Sequence, residues 1–351
     1  MAKGTTYNHE RIARTDPATG RPLLQLTSFP TMSWEMYYAV SNFVRGGRSL
    51  VFLSQRRAER GAPFDLFRVD VDGANLTQMA DTEGMGGIVV AWDGSAVWFC
   101  REGRLWHLDP ETFEEQEACA LEGAERAAHV FAAISHDGRY YFAQTFSPSG
   151  EPVLLRCAND GSGTRVLARG PEVRLHWPCA DARLGRLSLL RKQGERWIIY
   201  AADYDGANEQ AIGENVFAHI TWLHGTGRVQ GCALPPDRAI LVQGAGEEKP
   251  TALCRGPYFW HSASSLDGQW IVSDTNWRNE GLQLVHVPTG RFALLCRSGN
   301  SGGHPQWTHP HPFFTPDGSA VVYQSDATGV CQLYLIRIPD DLRAELSGAP
   351  A

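Results

Sequence analysis

The chain has 351 residues, which suits one large domain or two ordinary ones and is enough to bury a core without disulfides. Hydrophobic residues make up 43% and charged residues 20%, a balance that excludes an intrinsically disordered chain. The formal net charge is −7 and the sequence contains no long basic run, which argues against nonspecific nucleic-acid binding. A local cationic pocket for an acidic ligand remains compatible with this charge.

Cysteine spacing and apolar runs restrict the setting of the protein. The eight cysteines form no Cys-x-x-Cys pair, which argues against a thiolate zinc site or a thioredoxin-type centre. No apolar run approaches ~20 residues, so no membrane span or membrane partner is expected. The first ten residues lack the apolar stretch of a signal peptide. Together these features predict a cytoplasmic protein.

A repeated unit of two short strands after a glycine turn runs along the chain. A strand-like segment at 22–27 precedes the first copy, and the one segment with a helical pattern, 340–346, follows the last. In chain order, the strands predicted directly after the turns cover 50–53, 96–99, 140–142, 187–190, 228–230, 270–272 and 320–323. The second predicted strands cover 65–70, 105–109, 153–156, 197–200, 282–285 and 332–336.

The spacing of the turns predicts the fold class. The turn glycines are Gly47, Gly94, Gly138, Gly185, Gly227, Gly268 and Gly318. Their intervals of 47, 44, 47, 42, 41 and 50 residues match the period of propeller blades. Helical repeats are disfavoured, because the strands alternate with period two and 36 glycines and 20 prolines interrupt nearly every candidate helix. We therefore predict an all-β, seven-bladed β-propeller that forms a single domain over residues 1–351.

Closure of the ring requires a strand from the beginning of the chain. The last repeat shows about three strands before the sequence ends. The segment 22–27 is predicted to supply the missing outer strand of the last blade, which removes a free sheet edge.

The segment from 306 to 318 carries the clearest chemical signal. His309 and His311 are two residues apart, and Pro310 between them keeps the backbone extended, so both imidazoles lie on one face. Gln306 can direct an amide oxygen toward the same point. The segment leads into the innermost strand of the last blade and should face the central channel. Two imidazoles and one amide oxygen form a partial metal site, although a His-Pro-His sequence is more often an ordinary loop.

Histidines at the same position in neighbouring repeats strengthen the metal hypothesis. His261 lies six residues before the Asp-Gly turn of its repeat, as His311 does. His219 lies six residues before the glycine turn of the repeat that precedes them. Equivalent positions in adjacent blades converge on one part of the channel, so these three imidazoles should lie close together.

Several aromatic residues lie near these histidines in the sequence. Two interpretations remain open for them: stacking on a sugar ring, or packing between blades, which is the more common role for any single aromatic residue. The residues are Tyr258, Phe259, Trp260, Trp277 and Trp307.

These motifs resemble the oligogalacturonate lyases of the seven-bladed β-propeller type, and the resemblance runs over most of the chain. The most specific match is the segment 306–317, Gln-x-Thr-His-Pro-His-Pro-x-Phe-Thr-Pro-Asp. A second match is the segment 261–268, His-x-x-Ser-x-x-Asp-Gly. Segments 1–4, 18–27, 325–326 and 333–335 are also similar to that family.

The resemblance implies a function and a set of site residues. It implies that His219 is the general base and that Arg196, 23 residues before it, contacts the substrate. It also implies a divalent metal, usually Mn²⁺, bound by His261, Gln306, His309 and His311.

The reaction implied is β-elimination on short, oligogalacturonate-like uronate oligosaccharides. A metal beside the substrate carboxylate offsets the charge that develops when the C5 proton leaves, and a neutral histidine accepts that proton. The expected partner is therefore an acidic oligosaccharide. Two alternatives remain: an enzyme that uses the same metal pocket on another acidic sugar, and a non-catalytic, TolB-like propeller that binds a protein partner. The metal content of the purified protein separates the scaffold from either enzyme.

Overall fold

The computed structural model describes residues 3–7, 9–57, 59, 61–121, 131–277, 280–304 and 307–348. Within these ranges the chain forms seven antiparallel sheets, each made of strands that are consecutive in sequence, except that the last sheet also takes two strands from the beginning of the chain. The first strand of one sheet packs against the first strand of the next, as in β8, β12, β16, β20 and β24. This arrangement confirms the predicted seven-bladed β-propeller.

The first three blades use the strands up to residue 169. Two strands precede blade 1, namely β1 (Ile12–Thr15) and β2 (Pro22–Gln25). Blade 1 contains β3 (Ser33–Glu35), β4 (Phe43–Val44), β5 (Ser49–Ser54), β6 (Asp65–Asp70) and β7 (Thr77–Ala80). Blade 2 contains β8 (Gly86–Val90), β9 (Val97–Arg101), β10 (Arg104–Leu108) and β11 (Glu115–Ala120). Blade 3 contains β12 (Phe131–Ile134), β13 (Tyr140–Phe146), β14 (Pro152–Ala158) and β15 (Thr164–Arg169).

The remaining four blades complete the ring. Blade 4 contains β16 (Val173–Ala180), β17 (Arg186–Gln193), β18 (Arg196–Asp203) and β19 (Gln210–Glu214). Blade 5 contains β20 (Ala218–Leu223), β21 (Arg228–Cys232), β22 (Ala239–Gly244) and β23 (Thr251–Arg255). Blade 6 contains β24 (Phe259–Ser264), β25 (Trp270–Thr275), β26 (Leu282–His286) and β27 (Phe292–Cys296). Blade 7 contains β28 (Phe313–Phe314), β29 (Ala320–Ser325) and β30 (Gln332–Arg337), and α1 (Asp340–Ser347) follows it.

In blades 2 to 7 the predicted glycine turns join the first strand to the second, and in blade 1 the turn at Gly47 joins β4 to β5. At Gly268, φ is 67°, and a Cβ atom there would lie 2.6 Å from the carbonyl oxygen of His224 in the neighbouring blade. Only glycine accepts both the left-handed conformation and this close approach. Gly94 is held in the same way, since its φ is 73° and a Cβ atom there would lie 2.9 Å from the Cα atom of Val44 in blade 1, so turns of this kind mark the blade period.

The direction of the strands defines two faces of the ring. The first strand of each blade is innermost, and we call the end at which these strands begin the entry face. Because consecutive strands in a blade are antiparallel, the hairpin between the second and third strands returns to this entry face. Residues just before or at the start of β20, β24 and β28 therefore share one end of the central channel with the second hairpin of each blade.

The beginning of the chain pairs with blade 7. Leu23 lies opposite Ile336 of β30, and Gln25 lies opposite Tyr334, so β2 is the fourth strand of this sheet. The strand β1 pairs with the outer side of β2 and adds a fifth strand. Leu26, fully buried, continues the pairing through its N–H, which donates to the carbonyl of Leu333 at 2.7 Å.

Removal of residues 1–27 should therefore lower the thermal stability. The deletion exposes the edge of β30, removes the buried Leu26 and takes Glu10 away from the buried guanidinium of Arg56. Loss of one buried leucine costs about 2–5 kcal/mol, and an unpaired buried charge adds to that cost. We expect a fall in Tm of roughly 5 °C or more by calorimetry. An unchanged Tm would contradict a stabilising role for this strand.

One segment of blade 1 leaves its sheet and enters the central channel. Residues 36–42 connect β3 to β4, both of which pair with β5. Tyr38 is 2% exposed, and the segment around it lines cavities on both of its sides. The segment thus occupies part of the central channel. In the described part of the chain, no helix is long and apolar enough to cross a membrane.

Candidate metal centre

Three histidines from two blades meet at the entry face. One nitrogen from each of His261, His309 and His311 lies within 4.8 Å of the others. The ring centroids of His261 and His311 are 4.2 Å apart, and those of His261 and His309 are 5.3 Å apart. His261 and His311 are buried, whereas His309 is half-buried. The structure thus brings together three of the four predicted ligands; the fourth, Gln306, lies outside the described residues.

Irregular backbone aims these side chains. In β24 the pairing with β25 shifts between Phe259 and Ser262, and His261 lies in this β-bulge. His311 precedes β28 and has a φ of 44°, an uncommon conformation for a residue other than glycine. A bulge re-aims side chains that a regular strand would direct to alternate faces. The amide of Gln324 fixes the backbone beside them, since it donates to the carbonyl of His309 at 2.9 Å.

The carboxylate of Asp274 connects two of the histidines. It accepts a hydrogen bond from Nδ1 of His261 at 2.9 Å and from the backbone N–H of His261 at 2.7 Å. It also accepts the backbone N–H of His311 at 3.2 Å. Burial alone would raise the pKa of Asp274, but the neighbouring His261 and His311 lower it to about 2. Asp274 is therefore an anion that holds both segments in place.

The protonation of His261 follows from these contacts. A carboxylate can only accept, so Nδ1 of His261 carries the hydrogen and Nε2 carries the lone pair. Burial lowers the pKa of His261 to about 3, against the opposing effect of Asp274, so the ring is neutral at pH 7. Burial also lowers the pKa of His309. Neutral imidazoles with free lone pairs are the form that binds metal ions.

Glu35 supports the side chain of His311 in the same way as Asp274 supports that of His261. Its Oε1 accepts from Nδ1 of His311 at 3.0 Å, and both side chains are nearly fully buried. Nε2 of His311 is buried and has no hydrogen-bond partner among the described residues. A buried nitrogen lone pair without a partner is unfavourable, and a divalent cation would satisfy it. The carboxylate–histidine arrangement is also the one that orients metal ligands, so these residues fit a divalent ion.

His219 lies beside this cluster but outside the set of converging ligand atoms. Its ring centroid is 4.3 Å from that of His261 and 4.4 Å from that of Trp260. Nδ1 of His219 donates to the carbonyl of Trp260 at 3.1 Å, which makes Nε2 the basic nitrogen. Burial lowers the pKa of His219, so the ring is neutral at pH 7. Like His311, it has a positive φ, here 54°.

Two tyrosines form the floor of the cluster. The ring centroid of Tyr38 is 5.2 Å from that of His261 and 5.8 Å from that of His311, and the ring of Tyr37 is 5.9 Å from His311. Burial raises the pKa of Tyr37 to about 12 and raises that of Tyr38 as well. Both phenols are therefore protonated, and they close the site on the channel side.

The open side of the cluster is a polar cleft on the entry face. His309 forms one wall, and the rest of the cleft is lined by Thr275, Asn276, Trp277, Asn300, Ser301 and Gly302. A solute that enters this cleft can therefore reach the histidines from solvent.

The structure places Arg196 away from the cluster. It begins β18 at the second hairpin of blade 4, on the entry face, and its side chain is 71% exposed. Its described ionic partner is Glu214 at 3.5 Å, and it contacts none of the three clustered histidines within the described residues.

Asp274 and Glu35 are the site residues that sequence reasoning missed. Asp274 stands in a fully buried strand, Trp270–Thr275, where a carboxylate needs a partner, so its presence there was a usable signal. Glu35 is 276 residues from His311 and lies in a three-residue strand, and no local pattern connects the two.

Comparisons with known proteins are consistent with the geometry of the site. No family model matches the chain. The oligogalacturonide lyase of Pectobacterium atrosepticum is 22% identical over an alignment of 402 residues, which covers 97% of this chain and 100% of that protein. An oligogalacturonate lyase structure from Vibrio parahaemolyticus matches with a TM-score of 0.81 at 18% identity, covering 97% of this chain and all of that one. An oligogalacturonate lyase in complex with manganese matches with a TM-score of 0.79 at 20% identity, covering 98% and 100%. Over nearly its whole length the chain is therefore similar in sequence to an oligogalacturonide lyase and shares the propeller fold of these solved lyases.

Proposed function

We propose that this protein is a divalent-metal-dependent lyase that cleaves short uronate oligosaccharides by β-elimination. The observation that carries the proposal is the convergence of His261, His309 and His311, two of them held by buried carboxylates, next to a fourth histidine, His219. The similarity to proteins named oligogalacturonide and oligogalacturonate lyases supports the substrate class.

The proposed ligands are the three histidines and Gln306. Imidazole nitrogens and an amide oxygen suit several first-row divalent ions. The manganese complex of a structural neighbour favours Mn²⁺ among them. A divalent ion held by these ligands supplies positive charge beside the carboxylate of the bound uronate, where negative charge develops during the reaction.

His219 is the proposed general base. Its hydrogen bond to the carbonyl of Trp260 fixes the ring with Nε2 as the proton acceptor, and its neutral form predominates at pH 7. In the elimination, Nε2 takes the proton from C5 of the uronate, the C4–O4 bond breaks, and the electron pair of the C5–H bond forms the C4–C5 double bond. The leaving sugar oxygen takes up a proton from water that reaches the open cleft. Base and ligands are adjacent but distinct, so proton transfer need not displace a metal ligand.

Arg196 stays a predicted substrate contact. It lies on the entry face in the blade next to His219, and the weak, solvent-exposed ion pair with Glu214 leaves its guanidinium free to move.

The proposal is tested with a panel of uronate oligosaccharides. Metal-loaded protein should produce the absorbance of a C4–C5 unsaturated uronate from a galacturonate oligomer, and removal of the ion with a chelator should abolish it. The purified protein should bind about one equivalent of a divalent ion. Absence of any unsaturated product from the whole panel, with the ion bound, would contradict the lyase function.

Asp274→Asn should weaken metal binding. The asparagine amide would place N–H donors against the N–H groups that Asp274 now accepts, so His261 and the backbone of His311 lose their fixed orientation. Loss of such a supporting partner lowers metal affinity about 10–100-fold. Calorimetric titration with Mn²⁺ measures the effect, and Asp205→Asn, an exposed turn residue of blade 4, is the matched control. Equal affinities in the two variants would refute this positioning role.

A further inference from the structure

A strip of aromatic rings extends from His219 along the entry face. The ring of Trp260 packs against His219, and the ring centroid of Tyr258 lies 5.5 Å from that of Trp260. The ring of Trp277 follows at 5.8 Å from Tyr258. Trp277 is 48% exposed, so part of this large aromatic side chain is open to solvent. The strip therefore ends on an open aromatic face.

A cation lies over this exposed ring. The guanidinium carbon of Arg238 is 5.1 Å from the centroid of the Trp277 ring. Arg238 is exposed in the second hairpin of blade 5, and its neighbour Asp237 pairs with Arg255 instead. Trp277 lies in the second hairpin of blade 6, so both residues belong to the entry face. An arginine over an aromatic ring keeps its fork of N–H donors available for a carboxylate.

The polar cleft connects Trp277, the ring beneath Arg238, to the metal centre. Trp277 and His309 line the same cleft, and hydroxyl and amide groups lie between them. Trp277 can cover the apolar face of a sugar ring, while Arg238 can form a bidentate, charge-assisted pair with its carboxylate. A neutral sugar would leave the guanidinium without an ionic partner, so the arrangement favours an acidic unit.

We propose that Trp277 and Arg238 form a second uronate subsite, which binds the sugar unit joined to the one held at the metal centre. This inference rests on the proposed function and assigns substrate contacts that Gln306, Arg196 and the histidines do not provide. It predicts that the enzyme recognises a carboxylate on each of two consecutive units of the oligosaccharide.

The test measures kcat and KM on digalacturonate and trigalacturonate for Arg238→Ala and Trp277→Ala. Loss of a charge-assisted hydrogen bond should raise KM for Arg238→Ala about 10-fold or more, with the effect on KM rather than on kcat. The matched control is Arg337→Ala. Arg337 is exposed and pairs with Ala320 at the end of blade 7 opposite the entry face, so KM should not change there.

A charge-removal experiment separates the guanidinium's role from a general disturbance of the cleft. Methyl esterification of the neighbouring uronate should raise the KM of the wild type as much as Arg238→Ala does, and it should add nothing further in that variant. If the wild type cleaves the oligomers but both variants keep the KM of the Arg337→Ala control, the subsite is refuted and the lyase function stands. If the wild type neither binds nor cleaves any uronate oligomer, the lyase function and the subsite both fail.

Discussion

Replacing His309 by alanine should remove both the bound divalent ion and the elimination activity. His309 is one of the three imidazoles whose nitrogens converge within 4.8 Å, and it is half-buried, so its loss leaves the fold intact. Removal of a proposed direct ligand should cost more than the about 10–100-fold in affinity typical of a supporting residue. Elemental analysis should find less than ~0.1 equivalent of metal after dialysis, a consequence of that affinity loss.

The matched control for this variant is His286→Ala. His286 ends the third strand of the same blade as His261, pairs with Trp270 and lies at the opposite end of that blade. It should keep full metal content and full rate. If His309→Ala also retained one equivalent of metal and the wild-type rate, the assignment of the metal centre would be wrong.

Replacing His219 by alanine should retain the metal and remove most of the rate. His219 does not belong to the converging ligand set, and its Nε2 is the proposed proton acceptor. A positioned general base contributes about 10²–10⁴-fold, so kcat should fall by that factor while the metal equivalent stays constant. Initial rates by absorbance, with elemental analysis of the same sample, measure both quantities.

Chemical rescue distinguishes a base from a structural residue. The alanine substitution leaves a space beside Trp260 and His261, and added imidazole can occupy it and accept the proton. The rate of His219→Ala should therefore rise with imidazole concentration, whereas the rate of His309→Ala should not. Wild-type activity in His219→Ala without imidazole would show that another group takes the proton.

The propeller could be predicted because each blade is specified by residues that are close together in the chain. Six of the seven turn glycines, all except Gly185, have a positive φ that would strain a residue with a side chain, and at Gly268 a Cβ atom would also collide with the neighbouring blade, so the period is visible in the sequence. The convergence of His261 and His311 was also predictable, because equivalent positions in adjacent blades approach one another around the channel. His219 lies next to His261 for the same reason.

The sequence by itself thus determined the blade period, the all-β class and the equivalent positions of the histidines in their repeats, since each depends on residues close together in the chain. Only the tertiary structure decided which groups support those histidines and what borders them. Glu35 reaches His311 from blade 1, and Arg238 reaches Trp277 from the adjacent blade. Such contacts depend on how a closed ring brings distant segments together and on where bulges change the direction of side chains. Neither feature produces a repeating pattern in the sequence.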